Sequence, residues 1–488
     1  MTHIKHLFYT LAAPTVLAIS FLYAQDITTW MRANGGAGTD VAESVQQTSD
    51  GGYIFAGYTN SGRPDDDFWL VKTDANGDTV WTKTYGGSDD DNAYAVQQTT
   101  DGGYILVGVT RSFGAGSIDA WLVKTDANGD TIWTKTYGGS GVDQIYSGQQ
   151  TTDSGYIIAG STSSSGANTM DAWLVKTDSL GNTLWSKMYG GGDWEGAESV
   201  QQTIDGGYIF AGWTYTYGPG YQAFWLVKTD SMGAATWSKT YGGDDHDFAT
   251  YVRQTSDGGY ILSGHADGTP GYAQGKAWLI RTDTVGDTLW TRKYGNRISV
   301  IEQVFDSGFL LVGGGENYAN GTDAWLARLD TAGNVIWTKL YGGREGDFAK
   351  SAQLTADGGF IIAGMTLSFG AGSWDALLIK TDSAGNTIPL GTSGYNPYSI
   401  PNKFHLHPAY PNPFNPATTI RYDLPHAAPV TLTIYDLLGR EITTLVEAYT
   451  QPGAHEAIWG AGSLPSGIYI ARLATPAHTK SIKMVLMK

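Results

Sequence analysis

The stretch that decides the fold runs from residue 50 to residue 87 and reads DGGYIFAGYTNSGRPDDDFWLVKTDANGDTVWTKTYGG. Three strings within it return about every 50 residues along the chain. The aromatic residue of the first string stands at Tyr53, Tyr104, Tyr156, Tyr208, Tyr260, Phe309 and Phe360. The second string, WLVKTD or a close variant, begins at Trp69, Trp121, Trp173, Trp225, Trp278 and Trp325, with Leu377 in the seventh place. The third, which continues as Thr/Ser-Lys-x-Tyr-Gly-Gly with degenerate first and sixth copies, is led by Trp30, Trp81, Trp133, Trp185, Trp237, Trp290 and Trp337.

Each repeat contains four strand-like runs, which we label A to D. In the first complete repeat they cover residues 44–48, 53–59, 68–73 and 79–85, and they are rich in β-branched and aromatic residues between turn residues. A turn glycine such as Gly77 recurs in all seven repeats, as expected where a hairpin loop needs a residue at positive φ. Four strands at a period near 50 predict the blade of a β-propeller.

The two ends of the repeat region predict how the ring closes. The chain begins with a D strand at Trp30 and finishes with A, B and C strands over residues 351–382. Pro389 occupies the last D position, and proline cannot donate to a strand ladder. The sequence therefore predicts an all-β fold. It consists of a seven-bladed β-propeller with four-stranded blades, followed by a small sandwich. The N-terminal strand, at about residues 28–33, should pair with residues 376–381 and close the last blade of the propeller.

The repeats resemble those of a known family. Strings such as Tyr85-Gly-Gly-Ser-Asp-Asp-Asp and Asp101-Gly-Gly-Tyr-Ile-Leu-Val-Gly resemble the SBBP-type repeats of secreted bacterial β-propeller proteins. The resemblance covers about residues 27–388. It supports the propeller, and it implies no reaction because that family carries no single activity.

Composition excludes several kinds of partner and site. The 47 acidic residues exceed the 30 Lys and Arg, which gives a net charge of -17, and no basic cluster is present to neutralise phosphates, so we expect no nucleic acid partner. The absence of cysteine excludes disulfides, thiolate metal sites and cysteine nucleophiles. Only His246 and His265 lie in the repeats, which excludes a multi-histidine metal site there. We expect neither a metal nor a cofactor.

The N-terminus is typical of a signal peptide. Lys5 and His6 precede an uncharged, mostly apolar run from Leu7 to Ala24. The alternative is an uncleaved membrane anchor. Pro14 and Ala24 favour a cleaved signal peptide over this anchor. No later segment is long and apolar enough to span a bilayer, so no transmembrane segment is expected after signal removal. The predicted organisation is a signal peptide at 1–24, the propeller at 25–388, a linker at 389–408 and a C-terminal domain at 409–488.

The C-terminal domain shows a different pattern. Apolar residues alternate in 420–424, 430–434 and 482–486, which predicts half-buried strands of a small antiparallel sandwich. The strings YPNPFNP at 410–416, IYDLLGR at 434–440, LPSGIY at 464–469 and KMVLMK at 483–488 follow in order. They resemble the type A (Por secretion) sorting domains of type IX secretion, which are Ig-like and related to flagellar hook-cap domains. The resemblance implies transit through the periplasm, contact with the type IX secretion machinery, and delivery to the cell surface or the extracellular space. An ordinary Ig-like stalk is the alternative.

Carboxylates recur with the repeat in two sets. The first stands just before the turn glycine, at Asp74, Asp126, Asp178, Asp230, Asp283, Asp330 and Asp382, where an aspartate satisfying turn N–H groups is favoured over a calcium loop. The second forms an acidic loop ring in the D-to-A connections, at Asp40, Asp91, Asp143, Glu195, Asp247 and Asp347. Loop capping is the favoured role for this ring, and holding a cation or polarising a sugar hydroxyl is the alternative.

The B-to-C and D-to-A loops lie on one face of the predicted disc. The B-to-C loops vary between repeats, whereas the turns on the other face are uniform. Variable loops on a rigid scaffold often carry function. Aromatic residues cluster there, and they form the candidate ligand-binding face: Phe113, Trp194, Trp213, Tyr215, Tyr217, Tyr221, Tyr272, Phe369 and Trp374. Aromatic rings beside carboxylates suit a carbohydrate, and blade packing is the alternative.

No standard catalytic constellation is present: the chain lacks Gly-x-Ser-x-Gly, His-Glu-x-x-His and a phosphate-binding loop. We therefore assign no catalytic residue and expect a non-enzymatic surface module that binds a glycan or a protein. The alternative is a polysaccharide-active enzyme that uses two carboxylates on the variable loop face, since glycoside hydrolysis needs only such a pair.

Overall fold

The computed structural model describes residues 29–164, 169–218, 221–243, 246–268, 276–304, 308–317, 321–388, 404–407, 409, 412–425, 428–450, 453–462 and 464–487. The predicted signal peptide, most of the predicted linker and Tyr272 lie outside these residues.

The repeat region forms seven four-stranded antiparallel sheets, numbered 1 to 7 along the chain. Their A strands are β2 (Asp40–Gln47), β6 (Asp91–Gln98), β10 (Asp143–Gln150), β14 (Glu195–Gln202), β18 (His246–Gln254), β22 (Val300–Gln303) and β26 (Asp347–Leu354). The B strands are β3 (Tyr53–Thr59), β7 (Tyr104–Thr110), β11 (Tyr156–Thr162), β15 (Tyr208–Thr214), β19 (Tyr260–Gly268), β23 (Phe309–Asn317) and β27 (Phe360–Thr366). The C strands are β4 (Asp67–Thr73), β8 (Asp119–Thr125), β12 (Asp171–Thr177), β16 (Ala223–Thr229), β20 (Lys276–Thr282), β24 (Gly321–Leu329) and β28 (Asp375–Thr381). The D strands are β1 (Trp30–Asn34), β5 (Thr79–Tyr85), β9 (Thr131–Tyr137), β13 (Thr183–Tyr189), β17 (Ala235–Tyr241), β21 (Thr288–Tyr294) and β25 (Val335–Tyr341).

Burial changes across each sheet. B and C strands such as β7 and β8 are buried along their whole length, whereas D strands such as β5 alternate between exposed and half-buried residues. The B and C strands therefore form the core that packs between neighbouring sheets. Each D strand exposes one of its two faces to solvent. This pattern follows from near-continuous apolar runs in B and C and alternating ones in D.

The N-terminal strand belongs to the last sheet, as predicted. β1 pairs antiparallel with β28, with Trp30 opposite Lys380 and Asn34 opposite Ala376, so the order in sheet 7 is β1-β28-β27-β26. Two distant parts of the chain thereby complete one sheet. A strands begin earlier than predicted, because β2 starts at Asp40 rather than at Ser44.

The turn glycines explain how one sheet packs on the next. The seven predicted glycines, from Gly77 to Gly385, all have φ between 74° and 84°. A Cβ on Gly129 would lie 2.9 Å from the ring of Trp81 on the preceding sheet, and the same contact recurs around the series. At Gly77 the ring is that of Trp30, at 2.6 Å, so sheet 7 meets sheet 1 in the same way. Only glycine has both the φ and the space that this contact needs.

The turn aspartates take the role predicted for them. Oδ1 of Asp74 accepts hydrogen bonds from the backbone N–H groups of Asn76 and Asp78, at 2.8 and 2.9 Å. The remaining six aspartates of this set make the same two bonds. They hold the C-to-D hairpins.

Two further contacts recur that the sequence pattern did not reveal. The lysine of the WLVKTD string is buried and pairs with the aspartate of the A-to-B turn, as in Lys380 with Asp357 at 2.8 Å. Glutamines link neighbouring A strands: the backbone N–H of Gln98 donates to Oε1 of Gln46 at 2.6 Å, and that of Gln47 donates to Oε1 of Gln353 at 2.6 Å. The second of these bonds joins sheet 1 to sheet 7.

The C-terminal module has two antiparallel sheets. The three-stranded sheet has the order β29 (His405–Leu406), β30 (Ala417–Leu424) and β33 (Gly453–Gly460). The four-stranded sheet has the order β32 (Glu441–Thr450), β31 (Ala428–Asp436), β34 (Gly467–Ala474) and β35 (Thr479–Leu486). One core joins them, in which Ile420 and Trp459 from the first sheet pack with Leu432 and Ala471 from the second. In the described parts of the chain, no helix is long and apolar enough to cross a membrane.

Candidate functional site

A central cavity of about 430 Å³ is lined by the A strands of all seven sheets. β-Bulges direct side chains into it. In β14 the register against β15 shifts between Ala197 and Ser199, which leaves Glu198 without an opposite residue. A bulge re-aims the side chain of the extra residue, so one residue per strand turns inward. Bulged residues that line the cavity are Glu43, Tyr94, Tyr146, Glu198, Thr250 and Lys350, and Ser299 of sheet 6 joins them.

Two ion pairs occupy one side of the cavity. Nζ of Lys350 lies 3.1 Å from Oε1 of Glu43. Arg253 pairs with Glu302, which also accepts a hydrogen bond of 3.2 Å from the hydroxyl of Tyr251. These two glutamates are therefore compensated by cations of the chain itself.

Glu198 is held differently. Its Oε1 accepts a hydrogen bond of 2.9 Å from the indole Nε1–H of Trp213, and no ion pair to it occurs among the described residues. Burial raises the pKa of Glu198 to about 7, while the hydrogen bond from Trp213 acts in the opposite direction. Trp213 stands opposite Gly196 on the neighbouring strand. The indole can occupy this position because Gly196 has no Cβ, which would lie only 2.7 Å from the indole.

Two tyrosines line the cavity on the strands that precede Glu198. The rings of Tyr94 and Tyr146 have centroids 5.7 Å apart and are inclined at 47°. The hydroxyl of Tyr146 donates to Oε1 of Gln144 at 2.8 Å. Burial raises the pKa of Tyr94 to about 12 and that of Tyr146 further, so both are neutral donors at physiological pH.

The predicted aromatic face is gathered most densely beside sheet 4, in a group that we call the aromatic rim: Trp194, Trp213, Tyr215, Tyr217, Tyr221 and His246. Tyr221 is 68% exposed and stacks on His246, with centroids 5.5 Å apart and planes 9° from parallel. Trp194 is 55% exposed, and its carbonyl accepts a 3.0 Å hydrogen bond from the backbone N–H of Tyr215. Tyr215 in turn meets Trp213 edge-to-face at 5.9 Å.

Other predicted aromatics serve packing as well. Tyr217 is 48% exposed, but its hydroxyl donates to the carbonyl of Gly190 at 2.5 Å and its ring lies 5.6 Å from that of Trp225. Phe113 is exposed and packs in the same way on Trp121. Phe369 and Trp374 belong to sheet 7 and are half-buried. The structure therefore brings one part of the predicted face together, around sheet 4, and leaves Phe113, Phe369 and Trp374 elsewhere.

The six carboxylates of the acidic loop ring are buried, with at most 3% of any of them exposed. They are the first residues of the A strands in five sheets, and Asp247 is the second residue of β18. Oδ2 of Asp143 accepts hydrogen bonds from the backbone N–H of Gly139 at 2.8 Å and from Ser164 at 2.5 Å. The matching glycine of each preceding loop donates to the other five. This geometry fits the loop-capping role.

A second set of buried carboxylates faces that ring. Asp171, at the start of β12, lies close to Glu195 of the next sheet. Both carboxylates border Gly190: a Cβ added to this glycine would lie within 3 Å of both Oδ1 of Asp171 and Oε2 of Glu195. Burial, followed by the charge of Glu195, raises the pKa of Asp171. Equivalent pairs join Asp67 to Asp91, Asp119 to Asp143, Asp323 to Asp347 and Asp375 to Asp40. Within the described residues, no group of three or more histidine and carboxylate residues is placed to hold a metal ion.

The sequence strings of the C-terminal module decide its assignment. Residues 408–487 match the secretion system C-terminal sorting domain. This type IX sorting domain indicates export to the cell surface or the extracellular space, and it implies contact with the type IX secretion machinery. The match covers the C-terminal module alone, and no curated protein is detectably similar to the chain in sequence.

Solved structures resemble the chain only distantly. PorZ, a surface component of the type-IX secretion system of Porphyromonas gingivalis, is 11% identical, with a TM-score of 0.25 over 92% of this chain and 81% of that one. A eukaryotic initiation factor is 11% identical, with a TM-score of 0.33 over 88% and 98%. A beta-1,2-mannobiose phosphorylase from Listeria innocua is 12% identical, with a TM-score of 0.23 over 72% and 91%. TM-scores of this size carry no activity or partner to this chain.

Proposed function

We propose that this protein is an exported binding module, in which a seven-bladed β-propeller presents a glycan-binding surface and the C-terminal Ig-like sandwich directs secretion. The single observation that carries the binding role is the aromatic rim, where the exposed Tyr221 stacks on His246 and the exposed Trp194 is tied to Tyr215 by a backbone hydrogen bond. Exposed apolar patches on a secreted protein usually mark an interaction site.

Three kinds of contact support the propeller. Seven sheets contribute one A strand each to a shared cavity, and the packing of Trp30 on Gly77 repeats between sheets 7 and 1 the contact made by the other neighbours. The hydrogen bond from Gln47 to Gln353 links the A strands across the same junction. An arrangement of this kind leaves no sheet at an open end of the ring.

The rim has the chemistry of a carbohydrate platform. A sugar ring presents C–H groups that pack on the face of an aromatic ring, and its hydroxyls seek polar neighbours. Tyr221 is held nearly parallel to His246, so its outer face is fixed before a ligand arrives, which lowers the entropy lost on binding. Asp193 lies beside Trp194 and is exposed, so that it can accept hydrogen bonds from hydroxyls.

One observation favours a polysaccharide-active enzyme, with its carboxyl groups in the central cavity rather than on the variable loop face. A glycosidase needs a carboxyl group that stays protonated near neutral pH, and Glu198 has its pKa raised to about 7. Its partner would have to be Glu43 or Glu302, both of which are engaged in ion pairs. Release of reducing ends from a polysaccharide by the wild type, and not by the Glu198→Gln variant, would establish this alternative.

Affinity electrophoresis of the purified chain tests the binding role. The protein is run through native gels that contain one polysaccharide each, beside gels without polysaccharide. We expect retardation in at least one glycan, since a fixed aromatic platform binds sugar faces of matching geometry. Equal mobility in all gels would reject the glycan and leave a protein as the partner.

A further inference from the structure

We propose that the central cavity is a second ligand site, separate from the aromatic rim, which binds a small organic cation through Glu198, Tyr94 and Tyr146. This inference does not depend on the rim binding a glycan.

Among the described residues that line the cavity, Glu198 is a carboxylate without a counter-ion. Glu43 is matched by Lys350 at 3.1 Å, and Glu302 is matched by Arg253. Glu198 receives the neutral N–H of Trp213, at 2.9 Å, and no cation pairs with it among the residues that the structure describes. A carboxylate in a confined site gains most from a cation, because charge attraction grows as water is excluded. An organic cation in the cavity would give Glu198 the positive counter-charge that Lys350 and Arg253 give to the other two glutamates.

The aromatic side chains next to Glu198 suit an ammonium group. Tyr146 and Tyr94 project from the two preceding A strands, β10 and β6, into the same cavity, with ring centroids 5.7 Å apart. The negative face of an aromatic ring attracts a cation, and a carboxylate beside such rings is a common arrangement for alkylammonium ligands. Lys350 and Arg253 also line the cavity, but they are engaged with Glu43 and Glu302. Arg253 stands on β18, the strand next to that of Glu198, and pairs away from Glu198 with Glu302.

The cavity also has the size of a small-molecule site. Its volume of about 430 Å³ lies within the range of roughly 300–1,000 Å³ that ligand pockets occupy. The surrounding A strands fix its walls through the glutamine links between neighbouring sheets, so the site is formed in the free protein. A preformed site avoids the cost of ordering on binding.

Choline and 3,3-dimethyl-1-butanol are matched probes, because they share a shape and differ in the charged nitrogen. Titration calorimetry of the full chain at pH 8 should detect choline binding, with the neutral alcohol at least about tenfold weaker. Glu198→Gln should weaken choline binding by about tenfold or more, and Tyr146→Leu should weaken it less. The control Glu447→Gln removes an exposed glutamate of the C-terminal module and should leave binding unchanged.

Choline keeps its charge at every pH, so any pH dependence reports the protein. Wild-type affinity should rise as pH increases from 6 to 8, as Glu198 ionises, and that of Glu198→Gln should stay flat. The other titratable groups facing the cavity are Glu43, Tyr94, Tyr146, Tyr251, Arg253, Glu302 and Lys350. Burial raises the pKa of Tyr94 to about 12 and raises the pKa values of Tyr146 and Tyr251 as well, so these tyrosines stay protonated over this range.

Three results would overturn the proposal: absence of choline binding at 50 mM, equal affinity for the neutral alcohol, or unchanged affinity in a Glu198→Gln variant. A melting temperature of each variant that is equal to or above that of the wild type will establish that a loss of affinity reflects the site rather than unfolding.

Discussion

Nε1 of Trp213 donates a 2.9 Å hydrogen bond to Oε1 of Glu198, so a single contact joins the aromatic rim to the central cavity. Trp213 also meets Tyr215 of the rim edge-to-face, at 5.9 Å. The two candidate sites therefore share one side chain, and that side chain depends on Gly196 for its space.

Glu198 makes stability depend on pH. Its folded pKa of about 7 lies above its ordinary value of 4.5, so the folded state binds the proton more tightly and loses stability as pH rises from about 4.5 to 7. Glu198→Gln removes this loss. The variant should gain about 1–2 kcal/mol relative to the wild type between pH 4.5 and pH 8, a value discounted for partial exposure. Urea unfolding at both pH values measures it, and a constant difference would refute the raised pKa.

Trp30 should hold the first and last sheets together. It is 3% exposed, packs on Gly77 and donates from its indole to the carbonyl of Ala75 at 3.1 Å. Trp30→Ala should cost about 3–5 kcal/mol in the free energy of unfolding. Trp194→Ala, at a 55% exposed position, is the matched control and should change it by less than about 0.5 kcal/mol. A loss below 1 kcal/mol for Trp30→Ala would contradict the closing role of β1.

The recurring lysine–aspartate pairs should contribute more to the free energy of unfolding where the lysine is more deeply buried. Lys380 is 1% exposed and donates to Asp357 and to the carbonyl of Thr381. Lys380→Met should cost about 2–3 kcal/mol, because it leaves a partly buried carboxylate and a carbonyl without their donor. Lys83, which pairs with Asp130 in a more exposed place, provides the control, and Lys83→Met should cost below about 1 kcal/mol. Equal losses measured by urea unfolding would reject the argument.

Export should require the C-terminal module. Deletion of residues 409–488 removes the sorting domain but no strand of the seven sheets, so the remainder should fold and stay in the periplasm. Cell fractionation with protease-resistance assays of the retained protein measures both expectations. The full-length chain serves as the control. Undiminished protein on the surface or in the medium after the deletion would contradict the assignment of the export route.

Much of the fold followed from the sequence because its determinants repeat. Every C-to-D turn has a glycine and an aspartate equivalent to Gly77 and Asp74. Because the contacts within each turn are local, the roles of these residues could be predicted. The pairing of Trp30 with the last sheet followed from counting D strands. Type IX sorting was predictable from the ordered strings of the C-terminal module.

The cavity could not be predicted in the same way. The bulged position carries Glu in two sheets, Tyr in two, and Thr and Lys in one each, so no constant residue marks it along the sequence. The acidic loop ring did repeat, but its position at the start of buried strands depends on packing between sheets. The lysine–aspartate pairs also arise from tertiary contacts, because Lys380 and Asp357 lie on different strings of the repeat.

Binding of a polysaccharide by two matched double variants tests the central claim most directly. Trp194→Ala/Tyr221→Ala removes the exposed rings of the rim, and Leu180→Ala/Met232→Ala removes equally exposed side chains from turns on the opposite face. With the polysaccharide that retards the wild type, we expect the rim variant to lose at least about tenfold in affinity while the control binds normally, because stacking on exposed aromatics supplies the binding energy. Equal affinity of the rim variant and the wild type would contradict the account.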